Sequence, residues 1–371
     1  MIRDAIRDGA AGVGFARSWL SGHADVVARA IELDRGDRMV PATLLVPARA
    51  RPRPLPAWIM LHGVTVPGRQ HAQLVRFSRA VAHSGAAVVV PEVPEWKDLR
   101  LAPELTVPTV RAAVPALHDI PEVERRPVGL IGFSFGAPHA VAAGANLELA
   151  LRLRLIAAFG GYCDLARTLR FLFLGEHDWA GRRYQAVPDP YGRWIVAGNY
   201  LRQVPGYEDA GDVERALLAL AVDAGVRGVP SMDPAYDPLK LELAQTVASE
   251  RRALFDLIAP PAGHTPDRAA AEALMEGMVR ALRKSHPEMD PAERLTRVRV
   301  PVRLVHGHAD VLLPFTESLR MAELMKRETD VSVTITRLFA HSEQEAPPRG
   351  LRLLAEQMRF VRAVGRVLRM A

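Results

Sequence analysis

The chain has 371 residues, 49% of them hydrophobic, and a mean hydropathy of +0.02, enough for one large domain with an insertion or for two domains. Its net charge of +6 comes mostly from arginines scattered singly, without the dense basic block and interleaved aromatics of a nucleic-acid binder, so the charge favours at most an anionic substrate. The single cysteine, Cys163, excludes an intrachain disulfide and fits a reducing cytoplasm, and neither a signal peptide nor a membrane-spanning apolar run is legible.

Residues 2–20 place Ile2, Ile6, Ala10, Val13 and Leu20 near helical spacing and predict an amphipathic helix outside the core fold. Residues 26–34 and 39–46 are β-rich and joined at Arg35-Gly36-Asp37, which predicts a hairpin. A linker rich in proline and arginine covers 48–56. An apolar run over 57–61, a helical pattern over 70–84 and a second apolar run over 86–91 come next. Residues 104–120 predict a helix broken by prolines, and apolar runs over 128–133 and 153–159 follow. Strands that are apolar throughout and alternate with helices predict a parallel sheet covered on both faces.

The alternation stops near Cys163, and no strand followed by its helix is legible before Arg297. Helical stretches over 212–224, 238–258 and 267–284 fill the interval. Thr265-Pro266 and Asp290-Pro291 read as helix starts with proline at the first position. Strand patterns return at 298–305 and 331–339, with a helix over 314–327 between them. A basic amphipathic helix over 351–369 closes the chain.

One stretch carries chemistry. The apolar run 127–131 leads into Gly132-Phe133-Ser134-Phe135-Gly136, and a run of small residues leads out. Strand, Gly-x-Ser-x-Gly and small-residue helix together form a nucleophile elbow, in which a strained turn exposes the serine hydroxyl. Gly132 and Gly136 relieve the turn because they lack Cβ atoms. The helix N-terminus points backbone N–H groups toward the place where an oxyanion would form. With this elbow, the chain resembles the α/β-hydrolase fold superfamily, in its serine-esterase, dienelactone-hydrolase-like or prolyl-oligopeptidase-like branches. The resemblance implies an α/β fold: a doubly wound, mostly parallel sheet with an inserted helical cap. Its segments would be an N-terminal helical extension over 1–24, core over 25–162, cap over 163–297 and core again over 298–371.

A serine hydroxyl needs a base, and the base an orienting carboxylate. Ser134, Asp310 and His341 fall in the chain order of this fold, and His341 directly follows the last strand. Asp164, just after the 153–159 strand, is a rival acid; Asp178 imitates the acid loop without its following context. His62-Gly63 matches the dipeptide that marks the family's oxyanion loop. The expected donors are the Phe135 and Val64 amides, with Gly63 and Thr65 as alternatives for the second. His62 reads as a structural residue of that loop.

His62, Gly63, Trp96 and Tyr162 are candidate pocket residues, and Glu92, Lys97, Arg69, His71, Tyr184, Tyr191, Trp194 and Tyr200 are further polar or aromatic candidates. The histidine pairs His62/His71 and His306/His308 lack a third ligand, so no metal site and no nucleotide fingerprint is expected. The resemblance implies cofactor-free acyl transfer on a small-molecule ester or acyl substrate. Peptidase, amidase, thioesterase and acyltransferase chemistry are alternatives on the same triad, and a non-catalytic ligand-binding protein is an alternative of another class. The oligomeric state is open, with a homodimer compatible.

Overall fold

The computed structural model describes residues 2–49, 54–338 and 351–369. Eight strands form one sheet in the order β1-β2-β4-β3-β5-β6-β9-β10. They are β1 (Val26–Asp34), β2 (Met39–Pro47), β3 (Ala57–Leu61), β4 (Ala87–Pro91), β5 (Val128–Phe133), β6 (Leu153–Phe159), β9 (Val302–Gly307) and β10 (Val331–Thr336). β1 and β2 pair antiparallel, as do β2 and β4; all remaining neighbours are parallel. The remaining two strands, β7 (Glu176–Trp179) and β8 (Arg182–Gln185), form a separate antiparallel hairpin.

Side-chain alternation divides the core into two layers. Trp58, Met60, Val88, Val90, Leu155, Ala157 and Phe159 face the helices Ile2–Ser21, Ala72–His83 and Leu351–Arg369. Ile59, Leu61, Val89, Leu130, Ile156 and Ala158 face the helices Thr106–His118 and Gly136–Ala143. β3 and β4 are buried at every position, as expected of interior parallel strands. Gly129 in β5 lets the Trp58 ring lie across it, since a Cβ there would sit 2.3 Å from the ring.

Several expectations are corrected. The first helix does not stand apart: Phe15 is fully buried against Phe77 and Phe360. The helix Thr106–His118 continues through Pro115. Pro115 is exposed, and the carbonyl it leaves unpaired belongs to exposed Arg111, where water can satisfy it. The interval between β6 and β9 is not wholly helical, because it contains the β7–β8 hairpin.

The rest of that interval is helices, chiefly Leu165–Leu174, Tyr191–Tyr200, Gly211–Arg227, Asp237–Gln245, Arg252–Ile258 and Arg268–Ser285. The stretch expected as one helix over 238–258 is thus two, separated by a turn. Asp267, not Thr265, caps the Arg268–Ser285 helix, its carboxylate accepting from the Ala270 amide at 2.8 Å. Asp290-Pro291 precedes only the one-turn helix Ala292–Leu295, with Pro291 itself at the cap. Among the described residues, no helix is long and apolar enough to cross a membrane.

Candidate active site

Ser134 follows β5 with φ of +52°, a left-handed conformation unusual for a residue with a Cβ. Two contacts hold it there. Its amide donates to Phe159 O at 2.9 Å, continuing the β5–β6 ladder, and its carbonyl accepts from the Ala137 amide at 2.9 Å, opening the helix. The flanking glycines are obligatory. A Cβ on Gly132 would lie 2.3 Å from Gly136 O, and one on Gly136 would lie 2.5 Å from His62 O. Strain of this kind costs on the order of 1–3 kcal/mol and persists only where the surroundings impose it.

The loop after β3 presses on the serine. A Cβ on Gly63 would stand 2.9 Å from Ser134 Cβ and 3.3 Å from its Oγ. The next residue, Val64, is buried, as is Phe135. Among the described residues, neither the Val64 nor the Phe135 amide has a hydrogen-bond acceptor. These two amides, on buried residues next to the serine and without an acceptor among the described residues, are donors that an anionic oxygen would satisfy.

His62 is buried beneath this loop. Its Nδ1 lies 2.7 Å from Gly63 O, and its Nε2 lies 2.9 Å from the Val93 amide and 3.0 Å from Glu92 Oε1. Trp96 is fully buried, packing its ring edge-on to His62 and Phe135 while its indole donates to Ala102 O at 2.9 Å. The short helix Pro94–Lys97 that carries Trp96 is clamped by Glu95, which takes two hydrogen bonds from buried Arg35 in the β1–β2 turn.

Asp310 follows β9 and is buried. Its Oδ1 accepts from the Leu312 and Leu313 amides at 2.9 and 3.0 Å, and its Oδ2 lies 3.3 Å from His306 Nε2. His306 is itself tied to the loop: Nε2 donates to Leu313 O at 2.9 Å, and the Ser318 hydroxyl donates to Nδ1 at 2.7 Å. Serine and aspartate share one edge of the sheet. The Ser134 amide bonds to Phe159 O of β6, and the Gly160 amide bonds to Val305 O of β9, so both residues leave the carboxyl ends of nearby strands. His341 lies outside the described residues.

The rival acids have other partners. Asp164 caps the Leu165–Leu174 helix, accepting from the Arg167 amide at 2.8 Å, and lies 3.3 Å from Arg283. Asp178 sits in the β7–β8 hairpin, 2.6 Å from Arg320. Cys163 is buried, and desolvation pushes its thiol up to about 12, so it stays protonated. Tyr162 is buried too; its hydroxyl donates to Met289 O at 2.9 Å and lies 3.1 Å from His139 Nε2.

Sequence reasoning missed what His306 does, having weighed it only as a metal ligand. It also missed the hairpin that borders the acid loop, where His177 meets Thr316 at 3.1 Å and Tyr184 packs edge-on to Phe315. Among the described residues, no three His, Cys, Asp or Glu side chains are grouped to hold a metal ion.

No protein-family model matches the sequence, and no curated protein matches it. Solved structures similar to it include acylaminoacyl peptidase from Pyrococcus horikoshii, at 12% identity and a TM-score of 0.49 over 92% of this chain and 41% of that one. The chain therefore spans about two fifths of that peptidase's length. Brefeldin A esterase, a bacterial homologue of human hormone-sensitive lipase, is similar at 15% identity and a TM-score of 0.48, over 99% of this chain and 86% of that one. Est1E from Butyrivibrio proteoclasticus is similar at 13% and 0.46, over 90% of this chain and 98% of that one. The order and direction of the eight sheet strands, with a strained serine turning from the fifth of them into a helix, give this chain the α/β-hydrolase fold.

Proposed function

We propose that the chain is a serine hydrolase that cleaves carboxylic esters through Ser134, His341 and Asp310. The observation that carries this reading is the left-handed Ser134 beside the amides of buried Val64 and Phe135, which have no acceptor among the described residues. In this mechanism Ser134 Oγ attacks the ester carbonyl while His341 takes its proton, and Asp310 orients the imidazole. The Val64 and Phe135 amides receive the developing oxyanion. His341 then protonates the departing alcohol, and water, activated by the same imidazole, releases the acid from the acyl-enzyme. No step calls for a cofactor. The residues 163–297 act as a cap over the substrate, a role supported by their place between β6 and β9 and by Asp189, whose amide donates to Val311 O beside Asp310 at 2.8 Å.

Labelling with a fluorophosphonate, followed by peptide mapping, tests this. One adduct on Ser134 is expected in the wild type and none in Ser134→Ala. A folded wild type that takes no adduct would overturn the reading. Unlabelled wild type then goes to a panel of ester, thioester and amide substrates, because the leaving group is chosen by the pocket and not by the triad.

A further inference from the structure

The loop beneath the serine hangs from one buried carboxylate. Glu92 follows β4 and is only 4% exposed. Its Oε1 accepts from the Arg69 amide at 3.0 Å and lies 3.0 Å from His62 Nε2. Gly68, at φ of +54°, passes so close that a Cβ there would lie 2.2 Å from the same oxygen. Arg69 in turn reaches Thr43 of β2, donating to its hydroxyl at 2.9 Å. The first side chain of the 62–69 loop, its glycine turn and its last amide thus converge on Glu92.

His62 carries this hold to the other end of the loop. A carbonyl oxygen only accepts, so the Nδ1 that lies 2.7 Å from Gly63 O carries the proton and donates it. The Gly63–Val64 peptide is planar and trans, so its C=O and N–H point in opposite directions. Drawing the carbonyl toward His62 turns the Val64 N–H away from it, while Gly63 stays pressed against Ser134. Burial alone would raise the Glu92 carboxyl. The contact with His62, whose Nε2 accepts from the Val93 amide at 2.9 Å, and the Arg69 amide outweigh burial and hold it below the usual carboxylate range, so Glu92 is ionised at neutral pH.

We propose that Glu92 is a positioning residue of the reaction: acting through His62 and the Arg69 amide, it aims the Val64 N–H at the oxyanion. The proposal rests on the reading of Ser134 as nucleophile with Val64 as a donor, and the test separates the two. Glu92→Gln keeps the shape and removes the charge. His62→Asn removes the ring, and the double variant joins them. Each is compared with wild type on 4-nitrophenyl acetate and on its thiono analogue, whose sulfur is a poorer acceptor for oxyanion donors. Thermal melts establish that each protein is folded.

Glu92→Gln is expected to lose 10- to 100-fold in kcat/KM on the ester and much less on the thiono ester, so that discrimination between them collapses. Misaiming one donor should cost no more than removing it, which is about 10²–10³-fold. His62→Asn should behave alike, and the double variant should lose little more than either single one, because all three break one chain of contacts. Where turnover is slow, the second-order constant of fluorophosphonate labelling replaces kcat/KM. An unchanged ester-to-thiono ratio in folded Glu92→Gln would overturn the proposal while leaving the nucleophile intact. A wild type that fails to label at Ser134 would overturn the functional reading, and the proposal with it.

Discussion

His139 lies five residues past the nucleophile, its ring 4.6 Å from that of Phe135. Tyr162 donates its hydroxyl hydrogen to Met289 O, so its oxygen accepts from His139 Nε2–H, and Nδ1 is left buried without a partner among the described residues. Burial first, and then the charge of Arg294, holds its pKa well below the ordinary histidine value. The sign follows from linkage. Below about pH 6.5 the unfolded chain binds a proton at this residue and the folded chain does not, so stability present at neutral pH is lost as the pH falls. The loss approaches about 1.4 kcal/mol per pH unit for one proton. The urea midpoint of wild type should therefore drop between pH 7.5 and 5.0 by clearly more than that of His139→Phe. Equal drops would assign the effect to other groups.

At this scale the elbow was legible, because glycine at 132 and 136 is a local steric requirement. The partners of Glu92 were not legible: Arg69 is 23 positions away, and only the β3–β4 pairing brings them together.

Elements with one solvent condition along their whole length were read well. β3, β4, β5 and β6 are interior strands, so unbroken apolar runs betray them. The β7–β8 hairpin escaped because neither strand has a face buried in a core; its residues, Glu176-His-Asp-Trp179 and Arg182-Arg-Tyr-Gln185, are mostly charged or polar. Its signal lay in the turn. Ala180 and Gly181 have φ of +48° and +79°, the signs that a two-residue turn between twisted strands demands. Alanine tolerates that conformation poorly, so Ala180→Gly should stabilise the protein by about 0.5–1 kcal/mol, read as a higher melting temperature. A lower melting temperature would mean that the lost methyl group matters more than the relieved strain.

Across the whole molecule, the inserted segment is moored to the sheet by a buried charge. Glu317, on the helix Phe315–Met325, is 1% exposed. Its Oε2 accepts from the Cys163 and Asp164 amides at 3.0 and 2.9 Å, where the chain leaves β6, and its Oε1 accepts from Arg167 at 2.8 Å. Arg283 adds contacts from Asp164 to Asp290 at 3.3 and 2.9 Å, tying the start of the insertion to its end. Removing one partner of a fully buried pair typically costs about 3–5 kcal/mol, and the half-exposed Arg167 lowers that figure here. Glu317→Ala should lose about 2–3 kcal/mol in denaturant unfolding, since it also strips two buried amides of their acceptor, and Glu317→Gln, which can still accept from the two amides, should cost less. Near-equal losses would place the energy in the charge pairing with Arg167 and not in the amide contacts.

The nucleophile's own backbone joins the sheet ladder, and this sets adjacent amides at opposite extremes of solvent exchange. The Ser134 and Gly160 hydrogens are locked into bonds across β5, β6 and β9, so they should leave for deuterium only when the sheet itself opens. One residue on, the Phe135 hydrogen is bound to nothing among the described residues, and neither is that of Val64. These two should exchange through small local openings, orders of magnitude sooner, and slow when an oxyanion mimic occupies Ser134. The most rigid and the most available hydrogens of the fold would then be neighbours in sequence, and that contrast could be followed without any substrate.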